Sequence, residues 1–526
     1  MLVTGFCVSA LSLISLAEAN TIRKTIPSPN AILDEALKAL GGERAIKKLT
    51  GVTYEAPNQF RSRSLMQSYD FDRADIGVAI TGSQNISFQL NSGELQQRID
   101  RRFVPSDYWI WASPKLDLFD FSLVVRGGDD GYACYVKGNN QIWLPPDLAS
   151  GYTDCMLNSF LTVHDSSSDI TVIMHSKTKV PYIVRTWEDH PVFGRSTSDL
   201  YLTGYKAVHG IQFPHNIQTV YNATSQHINA VLEDFIVENI TLNPHFSKRF
   251  FDGISEDKSF APRAAPKKAP GVSHAIIGEF NSNMLGSGFK NDTVEDLIVE
   301  TPLADLPFVH WLRFDNETLG VKQMILEFEN EVIICDAPPQ WTKVVIEWVA
   351  MNIKKPITHV WPTHHHRDHA GGVDEYVAIG AKLIVPQMAV SHWSSIPGAT
   401  FVTFNDTHPF VYSDNKIQAW FMWQHQTTHA SDWSYAVITE KCPTAKSPVV
   451  ALEADVWQAG VSAGESDQAL MRQWLDQVLG DGLTDKAIVF PTHGQVTPLT
   501  ELIEITGYPY PSLGVADWQH GKACCK

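Results

Sequence analysis

Ten consecutive residues decide most of what this chain can become. Between a strand-like run, Ile357–Trp361, and a helix-like run over residues 373–379 stands Thr363-His364-His365-His366-Arg367-Asp368-His369-Ala370-Gly371-Gly372. Leaving His365 aside, three imidazoles and one carboxylate fall within six residues, and burying them is costly unless something organises them. On a loop at the C-terminal end of a strand, residues i and i+2 can converge on one point, while i+4 and i+5 reach a second point beside it. Borderline metals such as zinc accept imidazole nitrogen and carboxylate oxygen together. The alternative is an accidental polar loop, and the Asp and the Gly-Gly turn weigh against it.

The surrounding pattern alternates strands with helices. Val332–Cys335 reads as a buried strand, residues 341–351 have a helical period, and residues 382–385 read as another strand. Further on, Met471, Trp474, Leu475 and Val478 recur at i, i+3, i+4 and i+7, the mark of an amphipathic helix, and residues 487–490 form a last strand. This predicts an α/β layered domain over residues 272–510, followed by a tail, 511–526. Immediately before it, residues 261–271 open with Ala-Pro-Arg-Ala-Ala-Pro-Lys-Lys-Ala-Pro, whose regularly spaced prolines stiffen the backbone and build no core. That segment reads as a linker.

Residues 20–260 have a different character. Asn30 is placed to cap a helix with Ile32, Leu33, Ala36, Leu37 and Leu40 on one face, and Gly41-Gly42 ends it. From about residue 53 to 244, short apolar runs such as 170–174, 182–184 and 201–205 alternate with Gly, Pro, Asn and Asp. No helical pattern intervenes, so a mostly antiparallel β domain is expected, and no catalytic motif stands out in it.

His364-x-His366-x-Asp368-His369 resembles the H-x-H-x-D-H signature of the metallo-β-lactamase superfamily. The resemblance extends downstream to His429, before a strand-like run; Asp455, after residues 449–454; and His493, in Pro491-Thr492-His493-Gly494. It implies an αββα sandwich with two metal ions, expected to be zinc. His364, His366 and His429 would hold the first ion, Asp368, His369 and His493 the second, and Asp455 would bridge them. A hydroxide shared by two ions is a nucleophile at neutral pH, and Asp368 could move its proton. Asp336, after the strand ending at Cys335, matches an acidic position of the family and reads either as support for a ligand or as a turn residue. His425 competes with His429 for the third position, and His429 is preferred for the polar turn and strand that follow it. His365 should point away from the ligands, and His359, in a strand, and His392, in a loop, read as structural. Residues 182–243 are similar to the curved antiparallel half-barrels of lipoprotein-carrier proteins. Such a sheet could cover the metal site, hold an apolar part of a substrate, or serve only as a packing partner.

A site without Cys looks more like the lactonase, thioesterase and glyoxalase II-like branches than like the best-known antibiotic-degrading one. Hydrolysis of an ester, lactone, lactam or thioester in a small organic molecule is therefore expected. The rivals are an iron-dependent sulfur dioxygenase on the same fold and a non-catalytic secreted binding protein. A formal net charge of −17 argues against a nucleic-acid partner, and no stretch after residue 19 is apolar and long enough to span a bilayer. Residues 1–19 read as a secretory signal ending in Ala17-Glu18-Ala19, or else as a buried helix. Sequons at Asn85, Asn222, Asn239, Asn291, Asn316 and Asn405 fit a secreted glycoprotein. Once Cys7 is removed with the signal, Cys134 and Cys155 are the first pair to consider, as a disulfide or as two buried thiols. The oligomeric state is left open.

Overall fold

The structure, a computed structural model, describes residues 29–62, 69–71, 80–90, 96–104, 120–126, 132–137, 140–143, 171–190, 192–223, 228–247, 249–252, 292–314, 321–339, 341–460 and 465–515. The expected signal, the 261–271 linker, Cys155, Cys524, Cys525 and the sequons at Asn291 and Asn316 lie outside them.

Helix α1 (Pro29–Ala39) and the short α2 (Glu43–Ile46) precede the first sheet. Asn30 lies inside the first turn of α1 rather than capping it, because the helix already begins at Pro29, whose fixed φ suits a first turn. The sheet strands are β1 (Gly51–Ser62), β2 (Ile80–Gln89), β3 (Gln96–Val104), β4 (Asp120–Arg126), β5 (Tyr132–Lys137), β6 (Asn140–Trp143), β7 (Thr171–Met174), β8 (Pro181–His190) and β9 (Gly194–Thr203). A hairpin of β10 (Lys206–Val208) and β11 (Ile211–Phe213) stands apart, and β12 (Asn216–Ala223), β13 (Ile228–Ile236) and β14 (Asn239–Leu242) complete the set. Two meanders, β1 to β6 and β7 to β9 with β12 and β13, are joined where β13 pairs with β1. Every pairing is antiparallel, as expected from the absence of crossover helices. Arg185 holds Asp199 on the neighbouring strand with two hydrogen bonds of 2.7 Å.

The remaining residues form two further sheets. The first is ordered β15 (Ile298–Glu300), β16 (Val309–Arg313), β17 (Gln323–Glu327), β18 (Val332–Cys335), β19 (Ile357–Trp361), β20 (Lys382–Pro386) and β21 (Phe401–Phe404), antiparallel up to β18 and parallel from there. The second is ordered β22 (Phe410–Ser413), β23 (Ile417–Trp423), β24 (Ser434–Glu440), β25 (Val449–Glu453), β26 (Ile488–Pro491) and β27 (Thr497–Pro498), with β25 and β26 parallel.

Side-chain alternation makes the layers. In β18, Ile333 and Cys335 face the β22–β27 sheet, while Val332 and Ile334 face helices α3 (Thr342–Trp348) and α5 (Val373–Ala378), the latter preceded by the single turn α4 (Arg367–Ala370). In β23, Ile417, Ala419 and Phe421 face the β15–β21 sheet, while Trp420 and Met422 face helices α7 (Glu465–Gly480) and α8 (Leu499–Thr506). Strands buried on both faces must be apolar throughout, which is why Val-Ile-Ile-Cys shows no polar position. Met471, Trp474, Leu475 and Val478 of α7 are all buried, as their spacing demands. The result is helices, sheet, sheet, helices: an αββα sandwich. The helical period over 341–351 becomes α3 and then a π-helical turn, Val349–Ile353, with Lys354 in the left-handed region at φ 59°.

The sandwich is not isolated from the first sheet. Val192, Phe193, Tyr221, Ala223 and Ala230 join the same apolar cluster as α3, α5 and α6 (Val390–Trp393).

Candidate metal centre

Strand direction gathers the histidines. β18 and β19 run parallel, as do β25 and β26, and β23 runs the same way as β25 because two antiparallel steps separate them. The C-terminal ends of these strands therefore lie at one edge of the sandwich. That edge carries Asp336 after β18, residues 363–369 after β19, His429 after β23, Asp455 after β25 and His493 after β26. Hydrogen bonds fasten the two sheets together there. The Ser434 N–H and hydroxyl both donate to the Thr363 carbonyl at 2.8 Å, and the Lys322 N–H donates to the Thr492 carbonyl at 2.9 Å.

All seven residues singled out by the sequence come together, in two groups that share Asp455: His364, His366, His429 and Asp455, and Asp368, His369, Asp455 and His493. Within each group the potential donor atoms lie within 4.8 Å of one another. The Asp455 carboxylate lies between the two groups. Its Oδ2 is 3.0 Å from His429 Nε2, 3.1 Å from His369 Nε2 and 3.5 Å from His364 Nε2, while Oδ1 is 3.0 Å from His369 Nε2 and 3.3 Å from His493 Nε2. Asp368 Oδ2 lies 3.1 Å from His493 Nε2. Only small parts of the Asp368 and His429 side chains, 10% and 7%, reach solvent.

These contacts suit cations better than protons. His369 Nδ1 is 2.9 Å from Asp336 Oδ2, and an ionised carboxylate only accepts, so Nδ1 carries the hydrogen and a neutral ring turns its Nε2 lone pair inward. That Nε2 lies 3.3 Å from His493 Nε2, and His429 Nε2 lies 3.2 Å from His364 Nε2. Two imidazole nitrogens on one tetrahedral ion, with bonds of about 2.0–2.1 Å, would be separated by roughly 3.3 Å. The residues present therefore fit a metal ion in each group.

The electrostatics agree. Burial, reinforced by neighbouring imidazoles, holds His364 and His366 far below the ordinary histidine range, so both keep their lone pairs. Burial acts the same way on His369 and His493, but the carboxylates of Asp455 and Asp368 outweigh it and raise both. Asp368 and Asp455 are held low despite burial, chiefly by His369. The second group is thus a buried pocket of negative charge that demands positive charge, from protons or from a metal.

Asp336 organises this edge. Its backbone sits at φ 60°, a left-handed conformation that Asp and Asn tolerate better than most residues. From there Oδ1 accepts the Thr363 N–H at 2.7 Å, and Oδ2 accepts from His369 Nδ1 and from the Thr492 hydroxyl at 2.7 Å. One carboxylate so fixes the start of the histidine loop, one ring within it and the residue before His493. Of the two sequence readings, the structure favours support over a mere turn.

Two glycines are required by close approach. A Cβ on Gly372 would press on the Thr342 hydroxyl and lie 3.2 Å from the Pro338 carbonyl. Gly494, beside His493, has φ 121°, and a Cβ there would lie 2.8 Å from both the amide nitrogen and the carbonyl oxygen of Ala459. Gly494→Ala is expected to cost roughly 1–3 kcal/mol from backbone strain and a similar amount from overpacking. Thermal unfolding together with metal content checks this, and the second group should be the one weakened.

The other histidines separate cleanly. His425 is exposed beside the Trp423 ring and outside both groups. His365 does point away, its Nδ1 paired with the buried Asp432 Oδ1 at 2.7 Å. His392 lies in helix α6 rather than in a loop, buried at 1% exposure, because the apolar cluster under the first sheet needs a packed element there. His359 is in β19 as expected, next to the Tyr412 ring. Sequence reasoning missed Asp432 and also Phe71, whose ring lies 4.7 Å from that of His365. Asp432 three residues after His429 could have been flagged as a partner, whereas nothing in the sequence around Phe71 points to the site. Cys335 is a buried free thiol and Cys442 an exposed one.

The layering and the paired His/Asp groups define a metallo-β-lactamase-like fold with a potential dinuclear metal centre. No protein-family model and no curated protein matches the chain. Among solved structures, a metallo-β-lactamase from Pontibacter korlensis is 13% identical, covering 40% of this chain and 97% of its own, with a TM-score of 0.30. The metallo-β-lactamase DIM-1 exposed to ceftazidime is 14% identical, covering 41% and 97%, with a TM-score of 0.29. The flavodiiron protein from Giardia intestinalis is 13% identical, covering 40% and 58%, with a TM-score of 0.30. β-Lactamases and di-iron proteins thus stand side by side, and the class rests on this chain's own layers and donors. Among the described residues, no helix is long and apolar enough to cross a membrane.

Proposed function

We propose that the protein is a zinc-dependent hydrolase that cleaves an ester, lactone, lactam or thioester bond in a small organic molecule. The observation that carries this reading is Asp455, whose carboxylate is common to both groups of donors and would hold a pair of ions side by side. Such a pair supplies Lewis acidity, making water acidic and polarising a carbonyl at neutral pH. His364, His366 and His429 would hold one ion and Asp368, His369 and His493 the other. Asp368, fixed by His493 Nε2, would take the proton of the attacking water and return it to the leaving group. Asp336 keeps the hydrogen of His369 on Nδ1, so that Nε2 stays a donor of electrons. In this reading residues 1–19 direct the protein into the secretory route, and the sequons at Asn85, Asn222, Asn239, Asn291, Asn316 and Asn405 are acceptors there.

Purified protein should carry close to two divalent ions, zinc foremost, and a chelator should abolish turnover. Zinc-loaded protein should hydrolyse members of a chromogenic ester, lactone, thioester and β-lactam panel at the same rate under strict anaerobiosis as in air. Oxygen uptake with a persulfide substrate, seen only after iron loading, would instead establish the dioxygenase reading. Binding of a small molecule without any turnover would establish the non-catalytic one.

A further inference from the structure

The three histidines of the first group come from two loops, and one buried pair ties these loops together. His365 stands between His364 and His366, and Asp432 stands three residues after His429, with 2.7 Å between His365 Nδ1 and Asp432 Oδ1. Both side chains are almost fully buried. Keeping water from such a pair strengthens its hydrogen bond, because water competes for the partners and raises the local dielectric. The cover comes from the other part of the chain: the connection between β1 and β2 brings Tyr69 to Phe71 onto this edge. The Phe71 ring lies 4.7 Å from that of His365 and stacks at 4.6 Å on His392. Two residues earlier, the Tyr69 carbonyl accepts the Ser431 N–H at 2.8 Å, gripping the His429 loop directly.

We infer that Phe71 is a positioning residue of the metal centre, through which the N-terminal sheet holds the first histidine group in register by sealing the His365–Asp432 pair. The inference rests on the proposal that the two groups bind metal. The second group has a separate support in Asp336, which lies among β18, β19 and β26 and owes nothing to the first sheet. The two groups should therefore respond differently when the cover is removed. A residue that only glued the sheets together would not discriminate between them. Phe193 provides that comparison, since it is fully buried in the same apolar contact and touches His392 at 5.8 Å without lying on the pair.

The test is a competitive zinc titration of the full chain, resolving two binding events, with thermal unfolding measured alongside. Phe71→Ala should weaken one event roughly 10–100-fold, the range seen when a ligand's supporting partner is lost, and leave the other within about twofold. Phe71→Leu, which keeps an apolar cover, should recover most of the loss. Phe193→Ala should lower the melting temperature at least as much while both affinities stay put. Asp432→Asn should reproduce the loss, and adding Phe71→Ala to it should cost little more, because both act through one pair. Equal weakening of both events by Phe71→Ala, the same pattern from Phe193→Ala, or additive losses in the double variant would overturn the inference while leaving the metal centre intact. If Phe71→Ala fails to fold, the Phe71→Leu and Asp432→Asn arms decide it: unchanged affinity for both events in Asp432→Asn overturns it. Absence of zinc binding by the unaltered protein would overturn the functional proposal itself.

Discussion

Replacing Asp455 by alanine is expected to empty both metal positions at once and to lower turnover about a thousandfold or more. The carboxylate stands between His364 and His429 on one side and His369 and His493 on the other, so both groups lose the acidic donor they share. A Lewis acid contributes several kcal/mol to the transition state, and each ~1.4 kcal/mol is tenfold in rate. The substitution also removes one of the negative charges that draw cations into the pocket. His369→Ala is the contrast: the residue belongs to the second group only, so the variant should leave one ion bound and should cost roughly a hundredfold. Metal content by elemental analysis, read beside initial rates, separates the two. An Asp455→Ala protein with two tightly held ions would remove Asp455 from the bridging role.

Asp336→Ala is expected to combine the largest loss of stability at this edge with the loss of the second ion. Three donors would be left without their carboxylate: the Thr363 amide, His369 Nδ1 and the Thr492 hydroxyl. Each buried group so stranded costs about 1–3 kcal/mol, and alanine at φ 60° adds strain of about 1 kcal/mol or more. Asp336→Asn tells the two effects apart. Asparagine tolerates the left-handed backbone and can still accept the Thr363 N–H, so most of the stability should return. Its amide nitrogen would meet His369 Nδ1 as a donor, however, forcing the ring hydrogen onto Nε2 and turning it against the ion. Zinc affinity of the second group should fall about 10–100-fold in Asp336→Asn, with little change in melting temperature. Full metal affinity in that variant would mean that Asp336 supports only the backbone.

Most of the αββα half was legible because its periodicities are strong. Val332–Cys335 could only be a strand buried on both faces, and the spacing of Met471, Trp474, Leu475 and Val478 could only be one face of a helix. The boundaries that shifted were those set by local geometry. The helical period over 341–351 broke into a π turn, and His392 joined a helix that exists because the first sheet packs on it. In the β-rich half, antiparallel pairing followed from the lack of crossover helices, but the strand order did not. Which strand meets which is decided by long-range pairing, such as that of β13 with β1, for which short apolar runs carry no label.

The sequence by itself singled out the candidate donors. His364, His366, Asp368 and His369 lie within one turn of chain, and their chemistry and spacing survive any change of surroundings. His429, Asp455 and His493 are reached through the family resemblance, each standing after a strand-like run. Tertiary structure alone decided what makes those donors a site. The direction of β23, β25 and β26 brings three distant loops to one edge, where the Asp455 carboxylate belongs to both groups. Asp432 and Phe71 reach His365 from sequence separations of 67 and, by subtraction of the residue numbers, 294. Local pattern reports which face of an element is apolar, because that depends on neighbours three or four residues away. A ring covering a buried hydrogen-bonded pair from a distant part of the chain depends on where two remote segments meet, and packing alone fixes that.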